Sequence, residues 1–143
     1  MIPRSEAFLD TNVLLYAALG LDHAQHRYEA ARRIVLEEDY CTSAQVLAEF
    51  YTNAVKKGAP PLDPSEAREW IRIIAKKPCL PVDDRVVLAG IECAQRFGIS
   101  YWDGAIVAAA EKLGARTLYT EDLNHGQTYG SVTAINPFND QTE

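Results

Sequence analysis

The chain has 143 residues, 48% of them hydrophobic, which is enough for one compact domain with a real core and leaves little room for a second. Its 20 acidic residues outnumber 14 basic ones, for a formal net charge of −6. That balance argues against a protein that grips nucleic acid through a generally basic surface, but not against a nuclease whose acids gather around divalent cations, because bound cations reverse the local field.

In chain order, Glu6 to Asp10 reads as a short strand. Asn12 is placed to cap a helix starting at Val13, and Gly20 ends it. Ala24 to Leu36 has the period of a second helix, with Tyr28, Ala31 and Val35 on one face. Tyr40 to Thr42 is a strand candidate, and Ser43 can cap a helix running through Val55 and stopping near Gly58. The stretch KKGAPPLDPSEA is the clearest loop, since its prolines break regular structure. Ser65 to Ala75 is helical, Pro78 to Val82 leads into a helix over Asp84 to Phe97, and Gly98 ends it. Ser100 opens another helix, which runs to Leu113 before Gly114. ARTLYT and SVTAI read as strands. Short strands alternating with helices predict an α/β fold with a mainly parallel central sheet flanked by helices, one domain over residues 1–143. In such sheets, sites form beyond the carboxyl ends of the strands.

Two acidic positions lie at such ends. Asp10 interrupts the apolar run AFLDTNVLLYAA, and Asp122 follows the strand RTLY in the turn TED. A third acid, Asp103 in SYWDGAIVAAAEKLG, sits three and four residues before Ile106 and Val107. It therefore shares the apolar stripe completed by Ala110 and Leu113. Each has an ordinary explanation. Ser100 and Asp103 have capping-box spacing, and an acid in the first turn suits the helix dipole. Asp10 could close a strand and cap the next helix, although the better placed cap at Asn12 frees it, and Asp122 could be a turn aspartate. Taken together, the acids would put several negative charges into one crevice, where carboxylates repel unless a cation lies between them. Oxygen-only ligation of that kind suits Mg²⁺ or Mn²⁺.

FLDTNVLLY, the Glu49 of SAQVLAEF, ISYWDGAIVAAA and LYTEDLNHG resemble, in order and spacing, the four acidic motifs of PIN-domain ribonucleases, in particular the toxin subunits of VapBC-type toxin–antitoxin pairs. The resemblance spans nearly the whole chain, including INPF near its end. It implies a PIN-like domain and a metal-dependent endoribonuclease using Mg²⁺ or Mn²⁺. Asp10, Glu49, Asp103 and Asp122 would be its catalytic, metal-binding acids, with Asn12 and Thr120 as supporting polar residues. It also implies an RNA substrate, a cognate antitoxin partner and a homodimer. Two positions stand apart from this pattern in the residues themselves. Glu49 lies off the apolar face of Val46, Phe50 and Ala54, so periodicity reads it as a solvated acid. Glu121 adjoins Asp122, and only the family's T-x-D spacing favours the latter.

Other features read more plainly. Cys41, Cys79 and Cys93 are odd in number and lack C-x-x-C spacing, as expected of reduced thiols and not of a disulfide framework or zinc site. The first residues have too short an apolar stretch for a signal peptide, and no run approaches the ~20 residues of a bilayer span. A soluble, cytoplasmic protein without membrane contact is the expectation. His23 and His26 read as a solvated helix end, and His125 as part of a turn. Lys56–Lys57, Arg32–Arg33 and Lys76–Lys77 read mainly as solvated faces. Tyr101 and Trp102 are candidates for base stacking, with at least one of them expected in the core. A haloacid-dehalogenase-like phosphatase requires D-x-D-x-T, but position 12 is Asn and position 14 is Leu. A non-catalytic interaction module is the alternative of a different class.

Overall fold

The central strand of the fold, β1 (Ala7–Leu9), is short because its apolar run ends at Asp10, and all of it is buried. A computed structural model describes residues 6–20, 25–58 and 60–139. In chain order β1 is followed by α1 (Thr11–Leu19), α2 (Gln25–Glu37), β2 (Tyr40–Ser43), α3 (Ala44–Ala54), α4 (Pro64–Ile74), β3 (Cys79–Leu80), α5 (Asp84–Phe97), α6 (Tyr101–Lys112), β4 (Thr117–Tyr119), β5 (Thr128–Tyr129) and β6 (Val132–Ile135).

The six strands form one sheet in the order β3-β2-β1-β4-β6-β5. Every pairing is parallel except β5 with β6. The α/β fold with a mainly parallel sheet is thus as the sequence indicates. Two strands, β3 and β5, were not expected. Each is only two residues long, too short to show a period. The β5–β6 hairpin turns through Gly130 at φ +64°, a conformation that favours glycine.

Helix boundaries follow local chemistry. Gly20 and Gly98 end α1 and α5 in the left-handed conformation, as the sequence suggests. Ser43 caps α3 by accepting from the Val46 N–H. Pro64 does not interrupt α4 but opens it, where its missing N–H costs nothing, and Asp63 with Glu66 completes a capping box. On α2, Ala31 and Ile34 are the buried residues, whereas Tyr28 and Val35 are half-buried. The expected helix start at Ala24 and the position of His23 lie outside the described residues.

The helix α6 differs most from its reading as a single apolar stripe. Gly104 through Ala110 are all buried, while Leu113 is only half-buried. The small side chains of GAIVAAA let α6 lie between the sheet and α5. The two helices approach most tightly at Gly104 and Gly90. A Cβ on Gly104 would stand 2.6 Å from both the Ala94 nitrogen and the Gly90 carbonyl oxygen. Only glycine fits there. That close packing carries α6 deep into the fold and brings Asp103, at its first turn, toward the ends of the central strands.

Candidate active site

The loops following β1 and β4 meet at one hydrogen bond. Thr120 Oγ1 donates to Asp10 Oδ2 at 2.7 Å, and Asp10 Oδ1 accepts from the Thr11 N–H at 2.7 Å. Both side chains are buried, at 7% exposure for Asp10 and 1% for Thr120. Asp10 itself is the N-cap of α1, so the helix starts at Thr11 and not at Val13. This corrects the assignment of the cap to Asn12, which is half-buried and whose side chain makes no hydrogen bond among the described residues. A carboxylate that ends a strand reaches the first free N–H of the next helix more directly than a side chain two residues on. Capping and participation in a site are therefore not alternatives for Asp10.

Thr120 also organises the second acid at this edge, because its hydroxyl accepts from the Asp122 N–H at 3.1 Å. Asp122 is exposed. The neighbouring Glu121 turns elsewhere: Tyr16 donates its hydroxyl to Glu121 Oε1 at 3.2 Å, and Arg27 Nε lies 3.8 Å from Glu121 Oε2. Adjacent residues in a turn thus have separate neighbours, which spacing alone could not assign.

Glu49 is half-buried, contrary to its reading as a solvated acid. Thr11 Oγ1 donates to its Oε1 at 2.9 Å, linking α3 to α1 across a separation of 38 residues. Periodicity along α3 sees only the face packed on the core and is blind to a hydroxyl presented by another helix. Asp103 stands in the first turn of α6, where the Ser100 hydroxyl accepts from the Asp103 N–H at 3.1 Å. The Ser100 half of the capping box is present, and the charges of Asp122 and Glu49 still act on the acid.

The electrostatics tie these side chains together. Burial pushes the Asp10 carboxyl up from 3.8 to about 6, against the hydrogen bonds from Thr120 and Thr11, with the charges of Asp122 and Glu49 adding to the rise. Burial likewise raises Asp103. The Ser100 hydroxyl opposes that shift, and Asp122 and Glu49 again reinforce it. No lysine or arginine among the described residues offsets either group. The structure therefore places Glu49 and Asp122 within electrostatic reach of both Asp10 and Asp103, with the Thr120 hydroxyl joining Asp10 to the Asp122 N–H and the Thr11 hydroxyl holding Glu49.

This donor set fits a hard divalent cation in its chemistry: oxygen ligands from carboxylates, two of which, Asp10 and Asp103, are raised in pKa chiefly by burial. Among the described residues no three His, Cys, Asp or Glu side chains are already drawn together as a ligand set. Mutual repulsion of uncompensated carboxylates favours such an open arrangement.

Other side chains singled out in the sequence have local roles. His125 Nδ1 accepts from the Asn136 N–H at 3.0 Å within its turn, and His26 Nε2 lies 3.4 Å from the Phe138 carbonyl. Tyr101 and Trp102 meet edge to face at 5.0 Å, the first half-buried and the second 61% exposed. Lys77 lies over the Tyr40 ring at 5.2 Å and Arg32 over Tyr28 at 5.5 Å, so neither is a freely solvated charge. Among the described residues the three cysteines form no disulfide, and Cys41 and Cys93 are buried. A separate groove between α5 and α6, lined by Cys93, Arg96, Glu111 and Lys112, includes none of the four acids.

A PIN domain family model matches residues 7–130. No curated protein matches the sequence. Solved structures with a similar fold include VapC20 of Mycobacterium tuberculosis, a toxin that cleaves the sarcin–ricin loop. It is 20% identical, with a TM-score of 0.63 over 81% of this chain and 89% of that one. A toxin–antitoxin complex from Klebsiella pneumoniae is 14% identical, with a TM-score of 0.66 over 92% and 97%. DNA-bound VapBC from Salmonella typhimurium is 18% identical, with a TM-score of 0.58 over 94% and 97%.

Proposed function

The chain belongs to the PIN domain family, and on that premise we propose that it is a divalent-metal-dependent endoribonuclease whose active site is the cluster of Asp10, Glu49, Asp103 and Asp122. We take it to be the toxin of a VapBC-type pair. The observation that carries the reading is electrostatic: the charges of Asp122 and Glu49 bear on both Asp10 and Asp103, and no base among the described residues offsets those two carboxyls. A buried, uncompensated carboxylate such as Asp10 costs stability, so its retention calls for a cationic ligand.

The four carboxylates would hold Mg²⁺ or Mn²⁺, which when bound supplies Lewis-acid polarisation of a phosphodiester and a lowered pKa for water. The chain's own groups do the positioning. Thr120 holds Asp10 through one carboxylate oxygen and the Asp122 backbone through its other hydrogen-bonding capacity, so the two strand-end acids are fixed relative to each other. Thr11 fixes Glu49 in the same way and is itself anchored by its N–H to Asp10. Such outer partners orient ligands and set their basicity. Asp103 is carried by the first turn of α6, a helix packed closely on α5 at Gly104. Among the described residues neither histidine is placed to act as a base, since His125 and His26 are engaged elsewhere.

An antitoxin partner accords with the solved Klebsiella and Salmonella structures, which are toxin–antitoxin assemblies. A basic side chain of such a partner placed among these acids would suit both the crevice and a chain of net charge −6. A homodimer and a cytoplasmic location belong to the same proposal. Among the described residues, no helix is long and apolar enough to cross a membrane.

The test is cleavage of a mixed pool of structured RNAs by purified, antitoxin-free protein in Mg²⁺ or Mn²⁺, with EDTA and Asp103→Asn as controls. Discrete cuts bearing 5′-phosphate ends, lost in both controls, are expected. Absence of both cleavage and Mn²⁺ binding would overturn the metal-site reading and leave a non-catalytic interaction module.

A further inference from the structure

One cation stands beside the acid cluster without a task in the chemistry above. The Arg27 guanidinium lies 5.6 Å from the ring centroid of Tyr16 and 5.9 Å from that of Phe138, and these rings meet edge to face at 5.0 Å. Its ion pair with Glu121 is 3.8 Å long, beyond hydrogen-bonding distance. Arg27 Nε is buried and has no hydrogen-bond partner among the described residues, while the side chain as a whole is 40% exposed. The rings therefore flank the guanidinium, and its donors make no hydrogen bond among the described residues.

Its location gives those donors a use. Glu121 directly precedes Asp122 in the chain, so Arg27 borders the turn that delivers Asp122 to the cluster. Tyr16, against which Arg27 packs, also feels the Asp122 charge. A polyanionic strand approaching four carboxylates is repelled by them, and a fixed cation at the edge of the cluster offsets that repulsion. Arginine serves this purpose better than lysine, because a planar fork already packed against aromatic rings loses little freedom on binding a phosphate. Glu121 offers weak competition: it sits outside hydrogen-bonding distance and has the Tyr16 hydroxyl as a second partner.

We propose that Arg27 binds a backbone phosphate of the RNA adjacent to the one presented to the acids, and so sets the strand across the site. The claim that a strand crosses there rests on the ribonuclease reading, whereas the RNA contact itself can be measured without cleavage. A basic arm of a protein partner would meet Arg27 with like charge, which favours the nucleic-acid phosphate as its ligand.

The experiment measures the affinity of the full chain for a short, mixed-sequence, single-stranded RNA in EDTA across a range of KCl concentrations. Cleavage in Mn²⁺ is followed in parallel. Arg27→Gln should weaken binding about tenfold, the worth of one charge-assisted hydrogen bond, and reduce the slope of log affinity against log salt by about 0.7. Arg27→Lys should keep the slope and recover only part of the affinity. Glu121→Gln, which releases the guanidinium, should tighten binding. Arg116→Gln is the charge control, since Arg116 is exposed and precedes β4 at the opposite end of the sheet from Asp122. If Arg27→Gln matches Arg116→Gln in affinity and slope, the proposal falls, even though the wild type cleaves RNA. If the Arg27→Gln effects appear but the wild type cleaves nothing, the phosphate contact stands and the nuclease reading falls. Should Arg27→Gln fail to fold, unchanged affinity in both Arg27→Lys and Glu121→Gln overturns the proposal.

Discussion

Thr120 and Asp10 are 110 residues apart in the chain, yet the threonine hydroxyl lies 2.7 Å from the aspartate Oδ2 and joins the ends of adjacent parallel strands β1 and β4. The bond does two jobs. It solvates part of a buried carboxylate, and the same oxygen accepts from the Asp122 N–H. Thr120→Val keeps the shape and deletes both interactions. The expected loss is about 2 kcal/mol of stability near neutral pH, read by urea unfolding, because a buried charged acceptor is left short of a donor. Cleavage should fall together with Mn²⁺ affinity, by about 10–100-fold for a group that orients a metal ligand. Thr120→Ser, which keeps the hydroxyl, should restore most of both.

The buried Asp10 gives the metal-free protein an unusual pH response. Its carboxyl is raised chiefly by burial, from 3.8 to about 6, so the folded state binds the proton more tightly than the unfolded state. The stability this provides is fully present below pH 3.8 and is lost as pH rises through about 6. At 1.36 kcal/mol per unit, the loss from this group is on the order of 3 kcal/mol. Asp103 is raised for the same first reason and adds in the same direction. In EDTA, Asp10→Asn should therefore be more stable than the wild type near neutral pH and lack most of this fall, while losing cleavage. Mn²⁺ should stabilise the wild type by mass action and leave Asp10→Asn nearly unmoved. A wild type that gains stability from pH 4 to 6 in EDTA would contradict the assigned shift.

Local chemistry made much of this fold readable. The glycine stops at Gly20 and Gly98 and the Ser43 and Ser100 caps depend on neighbours within a few residues, and the structure places them as the sequence implies. Asp10 and Asp103 could be suspected because an acid within an apolar pattern is conspicuous. What could not be read depends on partners far along the chain. Glu49 looks solvated until Thr11 is brought against it, 38 residues away. The separate neighbours of Glu121 and Asp122 depend on Tyr16 and Arg27. Even the cap was misplaced for a local reason: Asn12 has the stronger cap signature in isolation, but the strand ends early enough for Asp10 to reach the Thr11 N–H first.

The pairing of Glu121 with Tyr16 and Arg27 yields a comparison of two adjacent acids. Asp122→Asn removes a charge that acts on both Asp10 and Asp103. Loss of a direct metal ligand should lower cleavage by more than about 10²-fold, since outer-shell changes alone reach 10–100-fold. Glu121→Gln removes an acid whose contacts are with Tyr16 and Arg27, and cleavage should not fall. Rates for the two variants on one RNA decide the matter. An equal loss in both would place Glu121 among the metal-binding acids.

Gly104 sits next to Asp103, and its backbone touches α5 where no side chain fits. The Cβ of Gly104→Ala would stand 2.6 Å from the Ala94 nitrogen and from the Gly90 carbonyl oxygen, and 3.0 Å from the Ala94 Cα. These are backbone atoms inside a helix and cannot swing aside as a side-chain tip could, so α5 and α6 must separate. Overpacking of this kind costs about 1–3 kcal/mol or more, against a gain of up to ~1 kcal/mol in helix propensity over glycine. The net expectation is a destabilised protein, read as a lower midpoint in urea. Because α6 also carries Asp103, the shift should reach the acid cluster. Mn²⁺ affinity should fall more in Gly104→Ala than in Arg68→Gly, a change at an exposed position inside α4 that lowers stability without touching α6. A Gly104→Ala protein as stable as the wild type and equal in Mn²⁺ binding would mean that this contact does not set the position of Asp103.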